Sequence, residues 1–195
     1  MTLKEQTQTA LANHAQSTGP HRLELEDSGD RLTAELLSID KDADFGWPRC
    51  YFDGDQQKLV LAPEYGGDGG KAVGDCGTKQ APAAFFPAHW APDGLLFYTG
   101  SQFPARYRNG AFIAFHGSWN RAPLPQAGYK VMFVPIARGI AEGAAEVFAD
   151  GFAGKDVSPN GARYRPTGVA VGPDGSLYVA SDQGEGAVFR IMSQP

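Results

Sequence analysis

The stretch HWAPDGLLFY at His89–Tyr98 is echoed roughly 80 residues later by VAVGPDGSLYV at Val169–Val179. Each sets Pro-Asp-Gly between two apolar runs, the second ending near a tyrosine. Pro presets φ and Gly tolerates φ > 0, so Pro-Asp-Gly makes a tight turn easy. Strand, turn, strand at long period is the pattern of a β-propeller, whose blades are antiparallel sheets repeated around an axis.

Working outward from these phrases, strands are expected at Leu95–Tyr98, Ala111–His116, Lys130–Ile136 and Glu146–Ala149. A second set is expected at Gly168–Val171, Ser176–Ala180 and Ala187–Met192. Residues 85–150 then form one complete four-stranded blade. Residues 165–195 form another that lacks its outermost strand. Residues 31–84 hold the end of an earlier blade plus an insertion, with Ala34–Ile39 as a short strand or helical turn and Glu64–Gly77 as a Gly/Asp-rich loop. The fold class is all-β, a partial propeller of about two and a half to three blades of four-stranded antiparallel sheet, where closed propellers need at least about four. Such a piece has a long unpaired edge. Residues 1–30 are polar and poorly patterned and read as an arm outside this unit.

Composition agrees. Gly (25) and Pro (14) are abundant, and Phe (12), Tyr (7) and Trp (3) suit many short strands joined by turns. The formal charge is −5 and the 17 basic residues form no run, so there is no electrostatic footprint for nucleic acid. No stretch reaches the roughly 18 apolar residues of a membrane helix. The first 20 residues lack the apolar centre of a secretory signal, so either the protein is cytoplasmic or Met1 is not the natural start. Cys50 and Cys76 lie in a Gly-rich region and in no CxxC. They pair in an oxidising compartment and stay thiols in the cytosol.

Several polar residues are candidates for chemistry. Arg163 and Arg165 flank Tyr164 just before the last blade's first strand. In extended chain, residues two apart point the same way, and two such guanidiniums would clamp carboxylates. The same ARYR occurs at Ala105–Arg108, where it reads as a surface turn. His89 opens a strand and either bonds a ligand or packs beside Trp90. His116 ends another, followed by Ser118, Trp119, Asn120 and Arg121, and Trp119 offers a face for stacking. Asp53 and Asp55, with Asp68 and Asp75, supply oxygens for Ca²⁺ or are solvated loop carboxylates.

The phrases FGWPRCYFDG (Phe45–Gly54), LVLAPEYGGDGG (Leu59–Gly70), PAHWAPDGLLFY (Pro87–Tyr98), GAFIAFHGSWNRAP (Gly110–Pro123), EVFADGF (Glu146–Phe152) and RPTGVAVGPDGSLYVASD (Arg165–Asp182) occur in an order that resembles one family. Over about residues 31–195 the chain is similar to the C-terminal part of the glucose/sorbosone dehydrogenases. These are six-bladed propellers that oxidise sugars with pyrroloquinoline quinone (PQQ). The FGWP and AFHGSWNR phrases carry the specificity; the PDG turns are shared by many propellers.

The resemblance implies a PQQ site with Ca²⁺, an aldose or sorbosone-type substrate and a periplasmic location, where Cys50 and Cys76 would join. It implies that Arg163 and Arg165 hold the quinone's carboxylates, that His89 bonds quinone or sugar, and that Ser118 or Arg121 stands where related enzymes place a lysine near this turn, with Arg121 able to supply the cation. It also implies that the Phe45 carbonyl and a downstream Asp, Asp53 or Asp55, hold a structural calcium. The family's general base, a histidine, and the carbonyls that bind the quinone's calcium come from an N-terminal half with no counterpart here. The expectation is therefore a truncated and inactive dehydrogenase, whose partner is the missing propeller half. The alternatives are a non-catalytic propeller piece or binding module and, further off, a six-bladed lactonase-type hydrolase, whose Glu, Asn and Asp metal ligands are absent from the expected strand starts.

Overall fold

The computed structural model describes residues 33–121, 124–138 and 140–193. The polar arm assigned to residues 1–30 lies outside them. Thirteen short strands run along the described chain: β1 Thr33–Leu36, β2 Cys50–Asp53, β3 Lys58–Leu61, β4 Ala84–Pro87, β5 Pro92–Phe97, β6 Ala111–Phe115, β7 Lys130–Val134, β8 Ile136–Ala137, β9 Ile140–Ala141, β10 Glu146–Ala149, β11 Pro166–Val171, β12 Leu177–Ser181 and β13 Ala187–Ile191. Three 3₁₀ turns accompany them and no α-helix occurs among the described residues. None of the described helices is long and apolar enough to cross a membrane.

All strand pairs are antiparallel. One four-stranded sheet has the order β5-β6-β7-β10, and a three-stranded sheet has the order β11-β12-β13. Both meander in sequence order, as the strand pattern required. The four strands expected between Leu95 and Ala149 do form one sheet. The fourth strand expected missing from the last sheet is not among the described residues. Phe85–Pro87 departs from the expectation: these residues belong to β4, which pairs with β1 instead of joining the four-stranded sheet.

Side-chain alternation explains how the sheets stack. β6 is buried along its whole length. Its Ala111, Ile113 and Phe115 join Ala34, Leu36, Phe86, Leu95, Met132 and Val134 on one face. Phe112 of β6 points the other way, into a cluster with Tyr98, Phe103, Val131, Phe133, Leu177 and Val179. The period-2 rule thus places the four-stranded sheet between the β1–β4 pair and the three-stranded sheet.

The two Pro-Asp-Gly phrases are not structural equivalents. Gly172–Ser176 is a true turn between β11 and β12, with Gly175 at φ 82° and its N–H donating to the Gly172 carbonyl at 2.9 Å. Asp174 stabilises it by accepting from the Ser176 hydroxyl (2.6 Å) and N–H (3.1 Å). Pro92-Asp93-Gly94 instead lies inside β5, where the register slips between Pro92 and Gly94 opposite Phe115 and Ala114. The same slip falls between Pro166 and Gly168 of β11, opposite Ser181 and Ala180. The repeated element is therefore Pro-x-Gly followed by three apolar residues, Pro92–Phe97 and Pro166–Val171. A proline is tolerated at a strand's first residue, and a bulge accepts the glycine. Leu95 stands where the turn would need the serine hydroxyl that Ser176 supplies.

The insertion expected between residues 31 and 84 contains the β2–β3 hairpin. Cys50 and Cys76 are joined in a disulfide, which ties β2 to the 3₁₀ turn Gly74–Thr78. Phe52, Leu59 and the two cysteines form a small core beside Phe85. The loop expected at Glu64–Gly77 is thus stapled.

Candidate functional site

Aligning β5 with β11 by their shared bulge makes positions comparable between sheets. Ala91 corresponds to Arg165 before the first strands. His116 corresponds to Asp182 just after the second strands. These four positions come together in space.

The chain from His89 to Ala91 docks on the end of β6. His116 N–H donates to the Ala91 carbonyl at 2.8 Å, and Gly117 N–H donates to the Trp90 carbonyl at 2.9 Å. His89 and Ala91 have φ of 63° and 53°, a conformation uncommon for residues with a Cβ. Arg165 reaches across from the next sheet. Its Nε donates to the His116 carbonyl at 3.2 Å and its Nη2 to the Gly117 carbonyl at 2.7 Å. Its own N–H donates to Ser181 Oγ at 2.9 Å. His116 Nε2 lies 2.9 Å from Asp182 Oδ1. Trp90–Ala91, His116–Gly117, Arg165 and Ser181–Asp182 thus converge at one end of two neighbouring sheets.

The residues expected to act are used differently from one another. Arg163 is exposed, sits 5.2 Å from the Tyr164 ring centroid and has no hydrogen-bond partner for its guanidinium among the described residues. Arg165 is half-buried and commits two of its five N–H groups to backbone carbonyls, leaving three. The pair is one free cation and one strut. His89 is half-buried, and burial holds its pKa below the ordinary value, favouring the neutral ring. Arg121 Nη1 donates to the Pro125 carbonyl at 2.7 Å, and burial lowers its pKa. Trp119 is 71% exposed.

Phe45 comes two residues before Trp47, whose bond to Pro48 is cis. Asp53 is fully buried at the end of β2, and both of its oxygens accept from Gln56: Oδ1 from the N–H and Oδ2 from Nε2, each at 2.8 Å. Asp55 is exposed in the hairpin turn. Among the described residues the group of three potential metal ligands is Cys50, Asp75 and Cys76, whose sulfurs are spent on the disulfide. Asp53 and Asp55 belong to no group of three such ligands among the described residues, and no step is derived through a calcium ion.

Asp182 escaped the sequence reading. Its partner is 66 residues away. The signal was present: matching Pro92–Phe97 to Pro166–Val171 puts His116 and Asp182 at equivalent positions.

Comparison with known proteins then decides the family. A family model described as TrAA12-like matches residues 29–194. The chain belongs to the TrAA12-like family. Among relatives, an uncharacterized protein of Borreliella burgdorferi is 37% identical over 116 residues, covering 58% of this chain and 29% of that protein. A pyrroloquinoline quinone-dependent pyranose dehydrogenase of Coprinopsis cinerea is 30% identical over 174 residues, covering 77% of this chain and 23% of the enzyme. The chain thus spans less than a third of the length of either relative. Among solved structures, the calcium structure of the Trichoderma reesei carbohydrate-active enzyme of family AA12 superposes with a TM-score of 0.59 at 21% identity, covering 77% of this chain and 39% of that one. At that identity the likeness establishes the fold. The resemblance to quinone-dependent sugar dehydrogenases read from the sequence is borne out at the level of family.

Proposed function

We propose that residues 31–195 form two and a half to three blades of a six-bladed propeller, the C-terminal part of a quinoprotein that oxidises an aldose or sorbosone-type sugar with PQQ. The observation that carries this reading is the convergence of Trp90–Ala91, His116–Gly117, Arg165 and Ser181–Asp182 at one end of adjacent sheets. That end is where a propeller gathers its site from several blades.

The donor chemistry fits a polycarboxylate. Arg163 brings an exposed guanidinium with no hydrogen-bond partner among the described residues, and Arg165 keeps three N–H groups. These two would hold PQQ, with His89 and Arg121 alongside. When bound, PQQ supplies the two-electron acceptor. Arg163 and Arg165 orient it; His89, kept neutral by burial, accepts or donates one hydrogen bond. The general base and the calcium ligands come from the propeller half outside this stretch. By itself the chain therefore binds the quinone without turning over sugar, because the family's general base belongs to that other half and His116 does not match it. The disulfide suits an oxidising compartment such as the periplasm.

The test is a PQQ titration followed by tryptophan fluorescence, alongside aldose-dependent dye reduction. Each charge-assisted bond contributes roughly 1.5–3 kcal/mol, so Arg163→Ala should weaken PQQ binding by at least about tenfold. Absence of PQQ binding, or binding indifferent to Arg163→Ala, overturns the reading and leaves a non-catalytic module. Dye reduction well above the protein-free control overturns the claim of inactivity alone.

A further inference from the structure

His116 is held on every side but one. Its N–H donates to the Ala91 carbonyl at 2.8 Å, and its carbonyl accepts from Arg165 Nε at 3.2 Å. Its ring Nε2 meets Asp182 Oδ1 at 2.9 Å. Its Nδ1 has no hydrogen-bond partner among the described residues, although the side chain is 21% exposed. A histidine that served only to join two sheets would need the Asp182 bond and nothing more. This one keeps a second nitrogen open at the mouth of the site.

The protonation pattern decides what that nitrogen can take. An ionised carboxylate only accepts, so Nε2 carries the proton. In the neutral ring Nδ1 then holds a lone pair. A lone pair accepts from a hydroxyl and repels carboxylate or quinone oxygens. His116 is thus the chemical opposite of Arg163, which offers only donors. The site end carries a donor suited to an anion and an acceptor suited to a polyol.

We propose that His116 Nδ1 accepts a hydrogen bond from a hydroxyl of the sugar and so helps set substrate specificity. Asp182 is the positioning residue that fixes the ring's orientation and tautomer, as carboxylates do for histidines elsewhere. The proposal rests on the sugar-oxidising reading above and assigns the substrate side of that same site.

The experiment uses the full chain. Binding of D-glucose and its monodeoxy analogues is measured by saturation-transfer NMR, and PQQ binding separately by fluorescence. One deoxy analogue should bind about two- to tenfold more weakly than glucose, the span of one neutral hydrogen bond. His116→Ala should weaken glucose by the same factor and abolish the penalty for that one deoxygenation. His116→Gln, whose side-chain carbonyl can accept, should restore part of it and serves if the alanine variant does not fold. Asp182→Asn should reduce the penalty, and PQQ binding should not change in any of the three. A deoxy penalty that survives His116→Ala, or that is as large in His116→Gln as in wild type, overturns the proposal, as does failure of the wild-type chain to bind glucose. Equal weakening of glucose and PQQ also overturns it, because that marks a structural role. If PQQ binds and only the deoxy pattern fails, the cofactor reading stands and this inference falls. If PQQ fails to bind, the cofactor reading falls and the glucose series still judges His116.

Discussion

Gly94→Ala should destabilise the chain while the same change at the equivalent Gly168 should not. Both glycines follow the proline of a bulged first strand, yet their surroundings differ. A Cβ on Gly94 would lie 2.8 Å from the Thr167 carbonyl oxygen, 3.0 Å from Gly168 Cα and 3.3 Å from Val169 N. All three are backbone atoms of β11, so no side chain can swing away. A Cβ on Gly168 would meet only the Ala180 Cβ, at 3.8 Å, an ordinary contact. Overpacking costs about 1–3 kcal/mol, and a rigid backbone neighbour puts Gly94→Ala at the upper end, about 3 kcal/mol. Gly168→Ala gains about 0.4–1 kcal/mol from a less disordered unfolded chain. Urea unfolding followed by circular dichroism reads the difference as opposite shifts in midpoint at unchanged slope. Equal stability of Gly94→Ala and wild type would mean that β5 and β11 do not approach backbone to backbone. The equivalence of the two strands, and the site built on it, would then be wrong.

Three further outcomes follow from the same structure. Reducing the Cys50–Cys76 bond opens a loop of 26 residues and should cost about 3.5 kcal/mol by chain entropy; urea midpoints with and without reductant check it, and no change would assign the bond a merely local role. Burial pushes the Glu35 carboxyl up to about 7, against a smaller lowering by the Thr33 hydroxyl. The folded state therefore holds this proton more tightly than the unfolded chain, so stability is full at low pH and falls by about 3 kcal/mol as pH rises from the ordinary carboxyl range through about 7. Unfolding at pH 5 and pH 8 should show that fall in wild type and not in Glu35→Gln. Tyr98→Phe should cost about 2–4 kcal/mol, since the buried hydroxyl donates to the Gly175 carbonyl at 2.6 Å and accepts from the Gln102 and Phe103 N–H groups at 3.1 and 3.3 Å; an unshifted thermal midpoint would contradict this.

What the sequence disclosed and what it hid have separate physical causes. Strands β6 and β7 were visible because every residue of AFIAF and most of KVMFV is apolar, and such runs are needed where both faces of a sheet are covered. The stapled insertion was visible as two cysteines with no other role. The first Pro-Asp-Gly was misread because a local signal has two solutions. Pro and Gly serve a turn or a strand bulge equally well, and the choice depends on whether a serine follows to satisfy the aspartate. The Arg163–Arg165 pair was found by period-2 reasoning, but alternation fixes only which side a residue leaves the chain. It could not tell that Arg165 would be drawn to the His116 and Gly117 carbonyls of another sheet.

The same mechanism ties the fold to the site. The residue before the proline of each bulged first strand bonds the chain that follows β6. In the four-stranded sheet that residue is Ala91, which offers only its carbonyl, and His116 N–H takes it. In the three-stranded sheet it is Arg165, long enough to cross and bind the carbonyls of His116 and Gly117. A small residue at position 91 and a long one at 165 are thus complementary halves of one joint. The joint leaves the His116 ring anchored by Asp182. Exchanging the two, with Arg at 91 and Ala at 165, would keep the composition and both bulges but direct the strut away from His116. It should abolish PQQ binding while leaving each sheet's own ladder intact by hydrogen exchange. Retained PQQ binding in that exchanged variant would show that the joint is structural alone.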